Sequence, residues 1–290
     1  MAHRFVLITD STVDENAGYY AENGIPYAPL SLTVDGRTLE EDCGQTLSFH
    51  DFYDLLRQGK QASTAQAKMD CFLRLFEQAL AAGQDVLYVG FSSGLSGTYQ
   101  AGCMAAAELA PRYPDRKVLC VDSLAATGGE YLLVDKAREM RDQGCTAEET
   151  AAEIERLRLQ VVHLFTVDDL NHLYRGGRLS RASAIVGSLL GIKPLLYMDD
   201  AGKLCVHGKL RGRQNVIRWL AERTLCGITD RNTPVRISHG DCLEDAQLLA
   251  DLLAKGGVQA DIRYVGTVIG SHTGPGVLAI FFFGEQRKPE

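Results

Sequence analysis

A serine in a short glycine-rich segment is the sharpest chemical pattern in the sequence. The segment Gly90–Gly94 satisfies G-x-S-x-G and lies between an apolar strand and a helix, the context of the nucleophile turn in α/β-hydrolases. On this interpretation Ser92 is the nucleophile, and Asp241 and His272 complete a triad in the chain order Ser, Asp, His. Only three positions of the pattern are constrained, so a turn that needs glycine and a capping serine explains it equally well.

The same loop is suited to a second chemistry, the binding of an anion. Ser93 and Ser96 precede a helix, and the first amides of a helix have no intrahelical partner. If Ser96 is the N-cap, the amides of Gly97 and Thr98 point outward and add to the positive end of the helix dipole. Hydroxyls of the pair Ser63–Thr64, from another loop, would complete a cradle for a carboxylate. The alternative role of this pair is to cap the helix that follows it.

A histidine and an arginine are further candidates for such a site. His272 lies among glycines in a segment predicted to be a loop between two strands, so it would donate to a carboxylate, act as a base or fix its loop. Arg178 follows two glycines and would balance a bound anion or lie in solvent at a helix C-terminus, where cations are favoured. His163 is a core candidate, and the five other histidines are unclustered, so we predict no metal site.

Composition and charge exclude several classes of protein. The 290 residues include 30 Lys+Arg and 37 Asp+Glu, a formal net charge of −7 without a basic run, which argues against nucleic-acid and anionic-membrane partners. A hydrophobic content of 46% is enough for a buried core, and no apolar run reaches the roughly 18 residues of a membrane-spanning helix. The eight cysteines are scattered and the N-terminus lacks a signal-peptide pattern, so we expect reduced thiols in a cytoplasmic protein.

Apolar strands alternate with helical patterns in the first half of the chain. The strand candidates are 5–9, 25–34, 85–89 and 117–121, and the segment Thr146–Glu149 is a capping box that opens a helix. Fully apolar strands that alternate with helices indicate a parallel sheet covered on both faces. We therefore predict an α/β fold with a parallel sheet in this half.

The second half has a different character. Ser180 is placed to cap a helix that ends near Gly191, and the turn Asp199–Gly202 favours a hairpin. His272 would lie in the loop between the last two strands. The predicted strands of this half are 161–165, 193–197, 203–210, 235–238, 261–269 and 277–283.

The change of pattern near residue 160 predicts two domains. The first, residues 1–160, is an α/β domain with a parallel sheet. The second, residues 161–290, is an α/β domain with a mixed or antiparallel sheet.

Taken together, these segments resemble the DegV family of fatty-acid-binding proteins. The resemblance extends over essentially the whole chain, and FSSGLSGTYQ followed at the C-terminus by HTGPG is its most specific part. The matching blocks are TDSTVD near the start, ST at 63–64, FSSGLSGTYQ at 91–100, VDSLAATGG at 121–129, LNHLYRGGRLSR at 170–181, LLGIKPLL at 189–196, KLRGRQNVI at 209–217 and GSHTGPGVLAI at 270–280.

The resemblance implies a fold, a ligand and a site. It implies two α/β domains with a fatty acid between them, and presentation of the bound acid to a separate fatty acid kinase that makes an acyl phosphate for phospholipid synthesis. The segment 63–67 departs from the family's usual Thr-Ser-Gln-Pro-Ser because it lacks the proline. The residues that the resemblance assigns to the carboxylate are Ser63 with Thr64 adjacent, Ser96 with Ser93 as its near alternative, His272, and Arg178 as the family's arginine.

The combined prediction is a cytoplasmic carrier of a long-chain fatty acid. It has no catalytic residue, metal or cofactor of its own. The resemblance implies that its partners are the fatty acid and a fatty acid kinase. The chain itself lacks the G-x-x-x-x-G-K-[ST] loop that binds nucleotide phosphates. A serine hydrolase that uses Ser92 is the alternative.

Overall fold

The structure, a computed structural model, describes residues 3–180 and 191–289. The predicted helix from Ser180 to Gly191 falls largely on residues 181–190, which lie outside the described residues. Among the described residues, no helix is both long enough and apolar enough to cross a membrane.

The strands form three sheets. They are β1 (Phe5–Asp10), β2 (Tyr27–Ala28), β3 (Ser31–Val34), β4 (Arg37–Glu40), β5 (Ala62–Ala65), β6 (Asp85–Gly90), β7 (Val118–Asp122), β8 (Val161–Thr166), β9 (Ile192–Met198), β10 (Leu204–Arg211), β11 (Val235–His239), β12 (Ala260–Tyr264) and β13 (Leu278–Phe283).

Helices connect most of these strands. They are α1 (Ala17–Glu22), α2 (Phe49–Arg57), α3 (Met69–Ala81), α4 (Thr98–Leu109), α5 (Gly128–Asp142), α6 (Ala147–Leu157), α7 (Asn171–Arg175), α8 (Arg213–Gly227), α9 (Leu243–Lys255) and α10 (Thr267–Thr273). The capping box predicted at Thr146 and Glu149 is confirmed at the start of α6.

The sheet of the first half is parallel, as predicted. Its order is β2-β1-β6-β7, and Leu87 of β6 pairs with Leu7 of β1 on one side and with Leu119 of β7 on the other. Helices α5 and α6 cover one face and α3 and α4 the other. Because both faces are covered, the central strands are apolar throughout, which is the pattern that identified them.

The sheet of the second half is mixed, as predicted. Its order is β10-β9-β8-β13-β11-β12, in which only β11 and β12 are parallel neighbours. Helices α8 and α9 cover one face, and α5 packs against β8, β11 and β13 on the other. Helix α5 therefore packs against both sheets, and one apolar core spans the two halves. The boundary near residue 160 stays a prediction.

Two local predictions near the candidate site are wrong. The segment 25–34 is not one strand: Pro29 separates β2 from β3, and the two strands belong to different sheets, because proline cannot donate to a ladder. Ser63–Thr64 is not in a loop but in β5, which completes a small antiparallel sheet of order β4-β3-β5.

His272 is also not in a loop between neighbouring strands. It lies near the end of helix α10, and β11 separates β12 from β13 in the sheet. Glycines and β-branched residues in this segment disfavour a helix in isolation, but Ser271 donates to the Thr267 carbonyl at 2.7 Å and α10 packs against α2, α7 and β5. Tertiary contacts therefore override the local preference.

Candidate functional site

A largely apolar cavity lies where the carboxyl ends of β6 and β7 meet the face of the six-stranded sheet against which α5 packs. Its volume is ≈ 70 Å³, so it is narrow. Crevices at the carboxyl ends of parallel strands are common ligand sites in α/β proteins. Side chains of the apolar wall include Phe91, Phe165, Met198, Ile269, Ala279 and Phe281.

One part of the cavity wall is polar, and it joins segments that are far apart in the sequence. Thr64 Oγ1 of β5 hydrogen-bonds with His272 Nε2 of α10 at 2.7 Å. Arg178, just after α7, donates from Nε to the Leu95 carbonyl at 3.0 Å, and Ser96 follows directly. Thr64, Ser96, Arg178 and His272 all line the cavity. Four of the six predicted site residues therefore meet at one place.

Gly176 allows the approach of α10 to the segment after α7. A Cβ atom at this position would overlap Nδ1 of His272, so no larger residue fits without displacing the imidazole. The Gly176 carbonyl accepts a hydrogen bond of 2.6 Å from the guanidinium of Arg178. This glycine therefore brings the histidine and the arginine together.

Ser63 and Ser93 are not brought to the cavity. Adjacent residues of a strand point to opposite faces, so Thr64 faces the cavity and Ser63 is exposed. The Ser93 side chain is also exposed, while its amide donates to Asp122 Oδ1 at 3.2 Å. Hydroxyl spacing in the sequence does not distinguish these serines from their neighbours that line the cavity.

The start of α4 differs by one residue from the prediction. Gly97 rather than Ser96 is the N-cap, and the amide of Thr98 donates to Ser96 Oγ at 3.2 Å. The Ser96 hydroxyl also hydrogen-bonds with Thr98 Oγ1 at 2.9 Å. Ser96 thus still satisfies one amide of the first turn from a position at the cavity wall.

The geometry gives no support to the hydrolase triad. The fully buried Ser92 donates its hydroxyl proton to the Gly202 carbonyl at 2.8 Å, and not to a histidine. His272 hydrogen-bonds with Thr64, and Asp241 contacts His50 at 3.1 Å. Within the described part of the chain, the hydrogen bonds of the Ser92 hydroxyl are with the Gly202 carbonyl and the Gly94 amide, as expected of a structural turn residue and not of a triad nucleophile.

Burial controls the charge of the polar groups. Burial, and then the positive charge of Arg178, lower the pKa of His272 to about 4, so the imidazole is neutral at pH 7 and carries one N–H donor. Burial also lowers the pKa of Arg178, which stays cationic. Among the described residues that line the cavity, Arg178 alone carries a formal charge at pH 7. A single cation with neutral donors around it suits one monovalent anion.

Some cavity residues were not predicted as site residues. Gln66 and Thr127 add polar groups to the wall, and Thr127 has a positive φ of 47° directly before α5. His163 is buried, as expected of a core histidine, with Nε2 accepting from the Ala126 amide at 3.2 Å, and it also lines the cavity. No pattern in the sequence separates such wall residues from the ordinary core.

One histidine that was predicted to be unclustered is in fact clustered. His50 lies with Asp54 and Asp241 at the surface, close enough for the three side chains to share an ion. Arg57, however, already donates to Asp241 at 2.5 Å and to Asp54 at 2.9 Å. A guanidinium therefore provides the positive charge that these carboxylates need.

Glu41 lies beside α10, the helix that carries His272, and makes the stability of the protein depend on pH. It accepts hydrogen bonds from the Thr267 hydroxyl at the start of α10 and from the Cys43 amide at 3.2 Å. Burial raises the pKa of Glu41 from 4.5 to about 7, so between these pH values the folded state keeps a proton that the unfolded state releases. The free energy of unfolding should therefore fall as pH rises through this window.

Glu41→Gln is expected to flatten this dependence, because glutamine does not titrate. Between pH 4.5 and 7, the free energy of unfolding measured in urea should fall in Glu41→Gln by on the order of 1 to 3 kcal/mol less than it falls in the parent protein. Glu40→Gln, at the exposed neighbouring residue, should keep the parent slope. Equal slopes in the parent and Glu41→Gln would contradict the assignment.

Comparison with known proteins gives a consistent result. A family model described as "Uncharacterised protein, DegV family" matches residues 4–285. A DegV domain-containing protein of Clostridium perfringens is 39% identical over 289 residues, covering 99% of both chains. A DegV domain-containing protein of Streptococcus pyogenes is 36% identical over 285 residues, covering 98% of this chain and 99% of the relative.

Solved structures agree with these sequence matches. A DegV family protein of Thermus thermophilus, described with fatty acid binding, has a TM-score of 0.86 and 29% identity, covering 97% of this chain and all of the other. DegV of Bacillus subtilis, described as a fatty acid binding protein, has a TM-score of 0.80 and 29% identity, covering 98% of this chain and all of the other. The chain therefore belongs to the DegV family.

Proposed function

We propose that this protein binds a long-chain fatty acid, with the acyl tail in the narrow cavity and the carboxylate at the polar wall. The observation that carries the proposal is the convergence of Thr64, His272, Ser96 and Arg178 from four separate segments on one apolar cavity. The descriptions of the Thermus thermophilus and Bacillus subtilis proteins as fatty acid binding support it.

The energetics favour a ligand that has a long apolar tail and a single acidic group. Burying an acyl chain contributes about 0.8 kcal/mol per methylene, so a long tail gains on the order of 10 kcal/mol before the costs of association are subtracted. A buried carboxylate costs several kcal/mol unless it is hydrogen-bonded. The hydroxyls of Thr64 and Ser96 and the cationic Arg178 would donate those bonds. The neutral His272 would donate its single N–H through Nε2 to Thr64 Oγ1, which leaves the Thr64 hydroxyl proton for the carboxylate. None of the four is required to act as a nucleophile.

Adjacent residues of β5 allow a matched test of the carboxylate site. Thr64→Val removes a hydroxyl from the cavity wall and keeps the shape of the side chain, whereas Ser63→Ala removes one from the exposed face of the same strand. Loss of a hydrogen bond to a charged group costs about 1.5–3 kcal/mol, so Thr64→Val should bind a fluorescent fatty acid about 10- to 100-fold more weakly. Ser63→Ala should bind like the parent.

Direct chemical analysis completes this test. Gas chromatography of lipid extracted from the purified parent protein should identify a long-chain fatty acid, and the amount should be reduced in Thr64→Val. Parent protein that neither carries nor takes up a fatty acid would refute the proposed function. Equal affinities of the Thr64 and Ser63 variants would refute only the assignment of the carboxylate site.

We also infer that the bound acid is presented to a separate fatty acid kinase. The polar wall includes the exposed Gln66 and borders the exposed Gly97 and Gly177, which supports access to the carboxylate from the surface. ATP added to the loaded protein should yield acyl phosphate only when a fatty acid kinase is also present. Acyl phosphate formed without the kinase would contradict a carrier role. The cytoplasmic location stays a prediction from the sequence.

A further inference from the structure

A buried arginine in the segment after β13 joins three distant parts of the chain. Arg287 is 1% exposed and lies beyond residues 4–285, which the DegV family model matches. Its Nη1 donates to the Leu124 carbonyl at 2.7 Å and to the Asp199 carbonyl at 2.9 Å. Its Nη2 donates to the Arg158 carbonyl. All three acceptors are neutral main-chain groups.

Two of these carbonyls adjoin residues of the cavity wall. Asp199 directly follows Met198, which lines the cavity. Leu124 lies two residues before Ala126, which also lines it. Met198 and Ala126 form a small buried apolar cluster with Phe91, a third residue of the wall. One guanidinium group therefore holds two of the three segments that build this part of the wall.

A second contact joins the remaining segment to the same turn. Ser92, next to Phe91, donates its hydroxyl to the Gly202 carbonyl at 2.8 Å. Gly202 has a positive φ of 69°, and a Cβ atom there would overlap the Ser92 hydroxyl oxygen and lie 3.2 Å from Leu124 Cα. The turn 199–202 thus packs directly on the loops that follow β6 and β7.

Burial of this arginine is unfavourable in itself. A guanidinium is costly to bury unless its donors are hydrogen-bonded, and Nε of Arg287 has no hydrogen-bond partner among the described residues. Leu124 has a positive φ of 48°, which is unfavourable for a residue other than glycine and persists only when the surroundings fix it. The contacts of Arg287 therefore serve to fix main-chain positions behind the wall.

We propose, on the basis of the proposed fatty acid binding, that Arg287 with Ser92 positions this wall against the acyl tail. By holding the turn 199–202 against Leu124, the two side chains fix the width of the cavity. Width matters because a gap of about 0.5–1 Å loses a quarter to a half of the attraction between contacting atoms. A loosened wall should hold a well-fitting tail less tightly and discriminate less between a straight tail and a bent one.

The affinities of the full-length protein for stearic acid and oleic acid, a straight and a bent tail of equal length, test the proposal. The parent should prefer one of the two, and Arg287→Met should reduce the ratio of the two affinities by about three- to tenfold. Methionine removes the hydrogen bonds and keeps apolar bulk. Arg287→Lys should restore most of the parental ratio, because one ammonium group can donate to the Leu124 and Asp199 carbonyls in place of Nη1.

Arg231→Met is the matched control. Arg231 also donates to two main-chain carbonyls, those of Gly256 and Leu225, each at 2.9 Å, but it is exposed and does not line the cavity. This variant should keep the parental ratio of affinities even where it lowers the free energy of unfolding. A purely structural role of Arg287 would move stability in the same way and leave the ratio unchanged.

Urea unfolding shows which variants are folded. If Arg287→Met does not fold, Ser92→Ala takes its place, because it removes the other contact that holds the turn 199–202. Parent protein that binds both acids equally, a folded test variant that keeps the parental ratio, or an equal reduction in Arg231→Met would overturn the proposal and leave the fatty acid site intact. Parent protein that binds neither acid would refute the proposed function, and the role of Arg287 with it.

Discussion

Ala279→Phe is expected to abolish the binding of long-chain fatty acids and to leave the protein folded. Ala279 is buried in β13 and lines the cavity next to its register partner Phe165 and near Phe281. An added ring would occupy the narrow space that we assign to the acyl tail. Exclusion of only five methylenes removes about 4 kcal/mol of apolar burial, which corresponds to about a thousandfold weaker binding.

Titration with a fluorescent fatty acid and analysis of extracted lipid measure this effect. Ala107→Phe adds the same ring on the exposed side of α4 and should leave both readouts unchanged. Urea unfolding checks that Ala279→Phe is folded, and we expect little loss of stability because the ring fills a cavity instead of overpacking the core. A folded Ala279→Phe protein that binds fatty acid like the parent would show that the tail lies elsewhere.

Arg236→Met is expected to lower the free energy of unfolding by about 3 kcal/mol or more, because it leaves a buried carboxylate without its main partner. Arg236 of β11 is 2% exposed and forms an ion pair with Glu15, which is 3% exposed. Its guanidinium also lies 3.5 Å from the centre of the Tyr131 ring on α5. Arg263 Nε, 3.6 Å from the Glu15 carboxylate, would compensate only part of the loss.

The pair joins the N-terminal segment to the sheet of the second half, so a double-variant cycle is informative. Arg236→Met combined with Glu15→Gln removes the unpaired charge and should recover at least half of the lost stability. Arg156→Met breaks an exposed ion pair with Glu153 and should change the free energy of unfolding by about 0.5 kcal/mol or less. A loss in Arg236→Met as small as in Arg156→Met would contradict the role of the buried pair.

Predictions from the sequence succeeded where a local pattern has one structural solution. The apolar runs 85–89 and 117–121 form strands in which burial does not alternate from one residue to the next. Strands have this pattern when both faces of their sheet are covered. The capping box at Thr146 uses side chains only three residues apart. They failed at His272, where contacts with α2, α7 and β5 stabilise a helix that the glycine-rich sequence disfavours.

The amino-acid sequence alone determined the α/β fold, the two kinds of sheet and the candidate donors, because burial periodicity and short polar segments can be read locally along the chain. Only the tertiary structure decided which donors face the cavity. Thr64 and Ser63 are neighbours of the same chemical type, and the pairing of β5 with β3 alone sets which of them points inward. Likewise, Thr64 and His272 are 208 residues apart, and their contact exists only because the small sheet packs against α10.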